Sequence, residues 1–297
     1  MSLVEKALRK LQESGSGPPK DLPGLRPPPE PHKATKDTGV RYVPSLPPAR
    51  TIVLDMEGLR AAGMLPPTNQ ERAMAQQYRQ IKRPLIAAAL GHGVPKLPKG
   101  HIIMVASAMP GEGKTFTCLN LALSLAREKD IRVLLVDADL PKPHISRQLG
   151  LADEPGLLDA LRDPKLEIER IIVGTDVPRL SVLPAGTRSE DATELIASAR
   201  MDEILTKLSE SDSNQLIVLD SPPLLLTAES PALAQIAGQV VVVVHAGRTT
   251  QRVLNDALSH IREGPAIALV LNQVSVPTGD GYHYYYGFAE GREAGGE

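Results

Sequence analysis

The amino-acid sequence predicts a doubly wound α/β domain on a mostly parallel sheet, and two observations carry that prediction. Short, continuously apolar runs recur at residues 102–106, 133–136, 180–183, 216–219, 240–244 and 267–271, with helical patterns between most of them. Strands that are apolar throughout, rather than at every second residue, belong to a parallel sheet covered on both faces. Strand and helix in alternation place helices on both sides of that sheet. Ligands of such sheets bind at the carboxyl ends of strands, and the polar motifs of this chain fall there.

Three zones follow one another. Residues 1–99 open with a short amphipathic helix over 2–12. Ser2 and Glu5 have capping-box spacing, and Val4, Leu8 and Leu11 fall on one face. A helix this short is not stable alone, so it reads as a docking element or a fraying end. Residues 15–48 are rich in proline and poor in apolar periodicity, as in an extended or disordered linker. A helix is expected from about 69 to 90, kinked or ended near Pro84. Residues 100–276 carry the α/β pattern. Residues 277–297 form a glycine-rich tail expected to be flexible. Four of the chain's six tyrosines lie there: Tyr282, Tyr284, Tyr285 and Tyr286.

Composition narrows the function. The chain has 297 residues, 42% of them apolar, and a formal net charge of −2, so no global basic field draws it to nucleic acid or anionic lipid. One cysteine, Cys118, excludes an internal disulfide and a multi-thiolate zinc site, and its apolar helical surroundings read as a buried core position. No apolar run reaches the roughly 18–20 residues of a bilayer-spanning helix. The N-terminus lacks the pattern of a secretory signal. The expected location is the cytoplasm, with any membrane association through a partner.

The strongest motif is Ala108-Met109-Pro110-Gly111-Glu112-Gly113-Lys114-Thr115. It fits the phosphate-loop pattern with alanine first, and it lies between a strand and a helix as that motif requires. Glycines at 111 and 113 let backbone N–H groups turn toward phosphate oxygens, aided by the helix N-terminus. Lys114 supplies charge to the β- and γ-phosphates, and the Thr115 hydroxyl is a Mg²⁺ ligand. The nucleotide contacts are expected from Met109 to Phe116, namely Met109, Pro110, Gly111, Glu112, Gly113, Lys114, Thr115 and Phe116. The fold is thereby a phosphate-loop nucleoside triphosphatase type, with ATP and Mg²⁺ as cofactors.

Two acidic strand ends follow. Asp137 and Asp139 close the run Val133-Leu134-Leu135-Val136-Asp137-Ala138-Asp139. One would orient the metal or its waters and the other would accept a proton from an attacking hydroxyl. An ordinary acidic exit from a strand is the alternative. Asp220 ends the apolar strand at 216–219 and would join Thr115 in the Mg²⁺ shell, with one of Asp137 and Asp139 beside them. The tyrosines are flanked by Gly279, Gly281, Gly287 and Gly291. That suits a segment entering an active site as phosphoryl acceptor, although aromatics anchoring a tail fit as well.

Together these residues resemble the bacterial tyrosine kinase family, in particular the cytoplasmic autokinases of exopolysaccharide export. Ser107 to Thr115 is close to the family's phosphate loop. Leu135-Val136-Asp137-Ala138-Asp139-Leu140 and Leu219-Asp220-Ser221-Pro222-Pro223 are similar to its two acidic motifs, and the tyrosine cluster completes the set. The opening Ser2-Leu3-Val4-Glu5-Lys6-Ala7-Leu8 resembles members associated with exosortase-type gene clusters. The resemblance implies an ATP-dependent protein-tyrosine autokinase with Lys114, Asp137 and Asp139 as catalytic residues. It implies a membrane polysaccharide co-polymerase, a chain-length determinant, as activator at the inner face of the membrane. It also implies a homo-oligomeric ring through the helix of Arg79, trans-phosphorylation of tails, and an opposing tyrosine phosphatase. Two departures stand out. Pro141 replaces the arginine usual after the second aspartate, with Lys142 next to it. On the oligomerisation helix only Arg79 keeps its type, in Gln76-Gln77-Tyr78-Arg79-Gln80-Ile81-Lys82.

Two other readings compete. A partition or cell-division-positioning ATPase would carry an extra lysine where Met109 stands. A non-catalytic, ATP-dependent scaffold of polysaccharide export would not need all three aspartates.

Overall fold

The computed structural model describes Pro48 and residues 50–274; the expected docking helix, the 15–48 linker up to Pro48, and the tyrosine tail lie outside the described residues. Eight strands form one sheet in the order β1-β4-β5-β3-β6-β2-β7-β8. They are β1 Arg50–Ile52, β2 Ile102–Ser107, β3 Arg132–Asp137, β4 Val173–Thr175, β5 Leu180–Leu183, β6 Gln215–Asp220, β7 Gln239–His245 and β8 Ala266–Asn272. Every pairing is parallel except β4 with β5. All six apolar runs are strands. β1 and β4, three residues each, have too little apolar pattern to be read from sequence. β4 is held by register, Val173 opposite Val182 and Gly174 opposite Ser181.

The central strands β2, β3, β6 and β7 are buried nearly end to end. Helices cover them from both sides, giving two apolar layers. One contains Met104, Val136, Leu205 and Leu219, and the other contains Val105, Leu121, Leu135 and Val218. Cys118 lies in the second layer, on helix α3 (Lys114–Leu125), and is fully buried. Burial alone pushes its thiol pKa up, and the carboxylates nearby add to that. Edge strand β8 differs: Ile267, Leu269 and Leu271 are 46%, 54% and 61% exposed, one apolar face left open to solvent.

Residues 50–99 add to this same sheet and core. β1 extends the sheet beside β4, while Leu54, Leu59, Met64 and Leu65 around helix α1 (Met56–Ala61) are buried in the second layer. Helix α2 (Glu71–Leu90) buries Tyr78, Lys82, Leu85 and Ala89, a stripe of helical spacing. Pro84 does not end this helix, which runs on through it to Leu90. It sits on the exposed side, as does Gln80, whose carbonyl loses its helical donor there. The helix stops instead at Gly91, left-handed at φ +76°, whose N–H donates to the Ala87 carbonyl at 2.8 Å. On the opposite side of α2, Arg79 is exposed and donates to Gln76 at 3.0 Å. Lys82 is turned inward, pairing with Glu128 at 2.7 Å and donating to the Ser124 carbonyl at 2.6 Å. It anchors α2 to α3 and takes no part in the exposed face.

Candidate nucleotide site at the phosphate loop

The loop between β2 and α3 stands at the carboxyl end of the sheet's middle. Gly111 and Gly113 have φ +80° and +91°, the left-handed region that glycine occupies without strain. The loop is gripped from outside by the ends of two neighbouring strands. Asn272 Nδ2 donates to the Glu112 carbonyl at 2.9 Å, and Gln273 Nε2 donates to the Gly111 carbonyl at 3.0 Å. Glu112 is buried; its carboxylate accepts the Met109 N–H at 2.9 Å and the Thr249 hydroxyl. With those carbonyls pulled outward the loop is held as a preformed cradle. Of the residues expected to contact nucleotide, Met109 and Glu112 therefore brace the loop, Met109 through an N–H already engaged.

Gly113 has no room for a side chain. A Cβ there would lie 2.1 Å from Asn272 Nδ2, and the φ would strain any L-residue. Gly113→Ala is expected to cost about 1–3 kcal/mol locally and to displace the Asn272 brace, weakening ADP binding at least tenfold by calorimetry while the sheet's circular dichroism stays unchanged.

Two carboxylates converge beside the loop because β3 and β6 are neighbours in register, with Asp137 opposite Asp220. Both are fully buried. Asp137 Oδ2 accepts the backbone N–H and the hydroxyl of Ser146, each at 2.7 Å. Its Oδ1 and both oxygens of Asp220 have no hydrogen-bond partner among the described residues. Burial pushes the Asp137 pKa from 3.8 to about 6, softened by the Ser146 bonds. Burial pushes Asp220 to about 7, opposed by the charge of Lys114 and reinforced by Asp137. Buried carboxylate oxygens without partners are costly. They fit a hard cation that prefers oxygen and arrives with phosphate, as Mg²⁺ does. The Thr115 hydroxyl lies beside them at the start of α3. Among the described residues no group of three or more His, Cys, Asp or Glu side chains could hold a metal by itself.

Asp139 is placed differently from Asp137. It forms an ion pair with Lys114, Nζ to Oδ2 at 2.5 Å, with both side chains largely buried. Burial lowers the Lys114 pKa, but Asp220 and Asp139 more than reverse that and leave it raised. Lys114 is thus a fully charged ammonium held by a carboxylate until a phosphate competes for it.

In front of this pair opens a cavity of about 430 Å³ whose walls include Phe116, Pro141, His144, Pro222, Pro223 and Leu226. Pro141 occupies the position where an arginine was expected. A guanidinium still reaches that segment, since Arg188 donates to the Pro141 carbonyl at 2.7 Å. Sequence reading missed Asn272, Gln273, Thr249 and Ser146. The first three stand at or shortly after the ends of apolar strands, where polar residues signal a site in such a sheet; Ser146 lies inside a short helix, α4 (His144–Gln148), and carries no such mark.

Residues 100–264, over half of the chain, match the family model described as an AAA domain, and the chain belongs to that family. Curated relatives of the chain are named tyrosine-protein kinases. Tyrosine-protein kinase YwqD of Bacillus subtilis is 27% identical over 220 residues, covering 73% of this chain and 89% of the relative. Putative tyrosine-protein kinase EpsB of Ralstonia solanacearum is 31% identical over 195 residues, 65% of this chain but 25% of the relative. Tyrosine-protein kinase ptk of Acinetobacter johnsonii is 29% identical over 165 residues, and the chain spans only 22% of its length. Among solved structures, the kinase domain of VpsO superposes with a TM-score of 0.58 at 27% identity, covering 70% of this chain and all of that one. The fold of the kinase domain of Escherichia coli ETK is shared at a TM-score of 0.56.

Proposed function

We propose that this chain is a Mg-ATP-dependent protein-tyrosine autokinase that phosphorylates Tyr282, Tyr284, Tyr285 and Tyr286 and regulates exopolysaccharide synthesis or export. The observation that carries this reading is the pairing of Asp137 with Asp220, buried and short of partners, beside a braced phosphate loop whose lysine is held by a third carboxylate. Relatives named tyrosine-protein kinases support the reaction class.

The chemistry follows from the residues. Incoming phosphate oxygens draw Lys114 away from Asp139, and the ammonium neutralises the phosphoryl group. Asp139, released, is the carboxylate nearest that lysine and takes the phenol proton. The tyrosine oxygen bonds to the γ-phosphorus, the bond from that phosphorus to the leaving ADP oxygen breaks, and the proton goes to Asp139. Apolar walls of Pro141, Pro222 and Leu226 suit an aromatic ring in the adjoining cavity. Thr115, Asp137 and Asp220 would hold magnesium, which supplies charge neutralisation between the phosphates.

Residues 1–99 would serve docking and oligomerisation, 100–276 phosphoryl transfer, and 277–297 acceptance. No helix among the described residues is long and apolar enough to cross a membrane. The expected setting is the cytoplasmic face of the membrane, with a polysaccharide co-polymerase as activator, self-assembly through the Arg79 face, and a phosphatase resetting the tail. The exosortase-associated subtype belongs to the same proposal. The test is incubation with ATP and Mg²⁺, alone and with an activating fragment, followed by mass spectrometry. Phosphotyrosine at 282–286, lost when the four are changed to phenylalanine while ADP binding persists, supports the kinase. Free phosphate with an unlabelled chain overturns it in favour of an ATPase.

A further inference from the structure

The turn after β7, residues 246–250, is locked against the phosphate loop from several directions. The Ala246 N–H donates to the Asn272 carbonyl at 2.9 Å, and the Thr249 N–H donates to the His245 carbonyl at 3.0 Å. The His245 N–H donates to the Thr249 hydroxyl at 3.2 Å, and that hydroxyl donates to Glu112. Thr250 then caps helix α5 (Gln251–Ser259), accepting the Val253 N–H at 3.3 Å. Between these fixed points sits Arg248, exposed, with its backbone N–H on the His245 carbonyl at 3.2 Å.

The Arg248 side chain forms no ion pair among the described residues, whereas Arg50, Arg60 and Arg170 each pair with a carboxylate. The nearest loop carboxylate, Glu112, is already committed to Met109 and Thr249. A Cβ built on Gly111 would meet a single atom within 4 Å, Arg248 Nη1 at 3.9 Å. The guanidinium therefore stands beside the exposed bend of the cradle, and that bend is glycine. Lys114 occupies the other end of the loop and is engaged by Asp139. The cradle thus has two cations, one internally neutralised and one without an acid.

We propose that Arg248 is a nucleotide-binding residue whose guanidinium contacts the polyphosphate of the nucleotide seated on the loop. A planar fork of donors on a backbone this restrained suits phosphate oxygens, and it needs no partner to be broken first. The inference rests on nucleotide binding at the loop, not on tyrosine as the acceptor.

The test is calorimetry with Mg-ADP on the full chain and on Arg248→Ala, Arg248→Lys and Arg248→Glu. Loss of one charge-assisted contact predicts roughly 10- to 100-fold weaker binding for alanine, a smaller loss for lysine, and the largest for glutamate. Melting temperatures without nucleotide should match the parent, because the side chain braces nothing. Equal losses in all three variants would mark a structural role and overturn the proposal. So would parental affinity in the alanine variant, or a parent that binds no ADP. Tyrosine labelling of the parent, measured separately, decides the kinase reading by itself.

Discussion

Lys114→Met removes tyrosine labelling and weakens Mg-ADP binding by about 100-fold or more, since at least one charge-assisted contact to phosphate goes with it. The structure adds a second effect that a binding role alone would not have. Lys114 is also the counter-charge of Asp139 and the main influence opposing the burial of Asp220. Methionine keeps the chain length and leaves both carboxylates in an apolar surround without a cation. The Asp220 pKa rises further, so the nucleotide-free variant should be destabilised more at pH 8 than at pH 6. Thermal melts at the two pH values, beside calorimetry and labelling, separate the two roles. A variant that melts like the parent at both would mean that the Lys114–Asp139 pair contributes nothing to the resting state.

Asp220→Asn should act in the opposite direction on stability while also abolishing labelling. The folded chain holds the Asp220 proton more tightly than the unfolded chain does, with a pKa near 7 against the ordinary 3.8. Its contribution to stability therefore falls as pH climbs from about 4 to about 7 and is level above that. At pH 8 the buried carboxylate is ionised, and without nucleotide the Lys114 charge offsets its burial only in part, at a cost on the order of 2–4 kcal/mol from about 1.4 kcal/mol per pH unit. Asparagine carries no charge and ends the repulsion with Asp137. The nucleotide-free variant should melt several degrees higher at pH 8 and match the parent more closely near pH 5, at about 2–4 °C per kcal/mol for a domain of this size. A lower melting temperature at pH 8 would show that the ionised aspartate has a stabilising partner.

How far this could be read from residues alone depended on where each signal resides. Six strands were legible as continuously apolar runs; the central ones are so because a strand buried on both faces must be apolar along its whole length, as Val240–Val244 shows. β1 and β4 were not, because three residues such as Arg50-Thr51-Ile52 take their conformation from a neighbour. Pro84 did not end its helix because the rule against proline weighs most in a buried stretch, whereas Pro84 and Gln80, whose carbonyl it deprives, are both exposed. In the site, the loop itself and Asp220 were legible, each being a contiguous motif. The brace by Asn272 and Thr249 was not, since it joins residues more than a hundred positions away. Nor was the division between Asp137 and Asp139. Spacing makes them look alike, and only the fold gives one to Ser146 and the other to Lys114.

Cys118 sits within one helical turn of the nucleotide lysine and is sealed off completely. Its reactive form is the thiolate, which burial disfavours. Oxidants and alkylating agents reach that sulfur only through opening of the helix that carries the phosphate loop. Chemical damage at the chain's one thiol is therefore limited by how often the helix behind the phosphate loop opens.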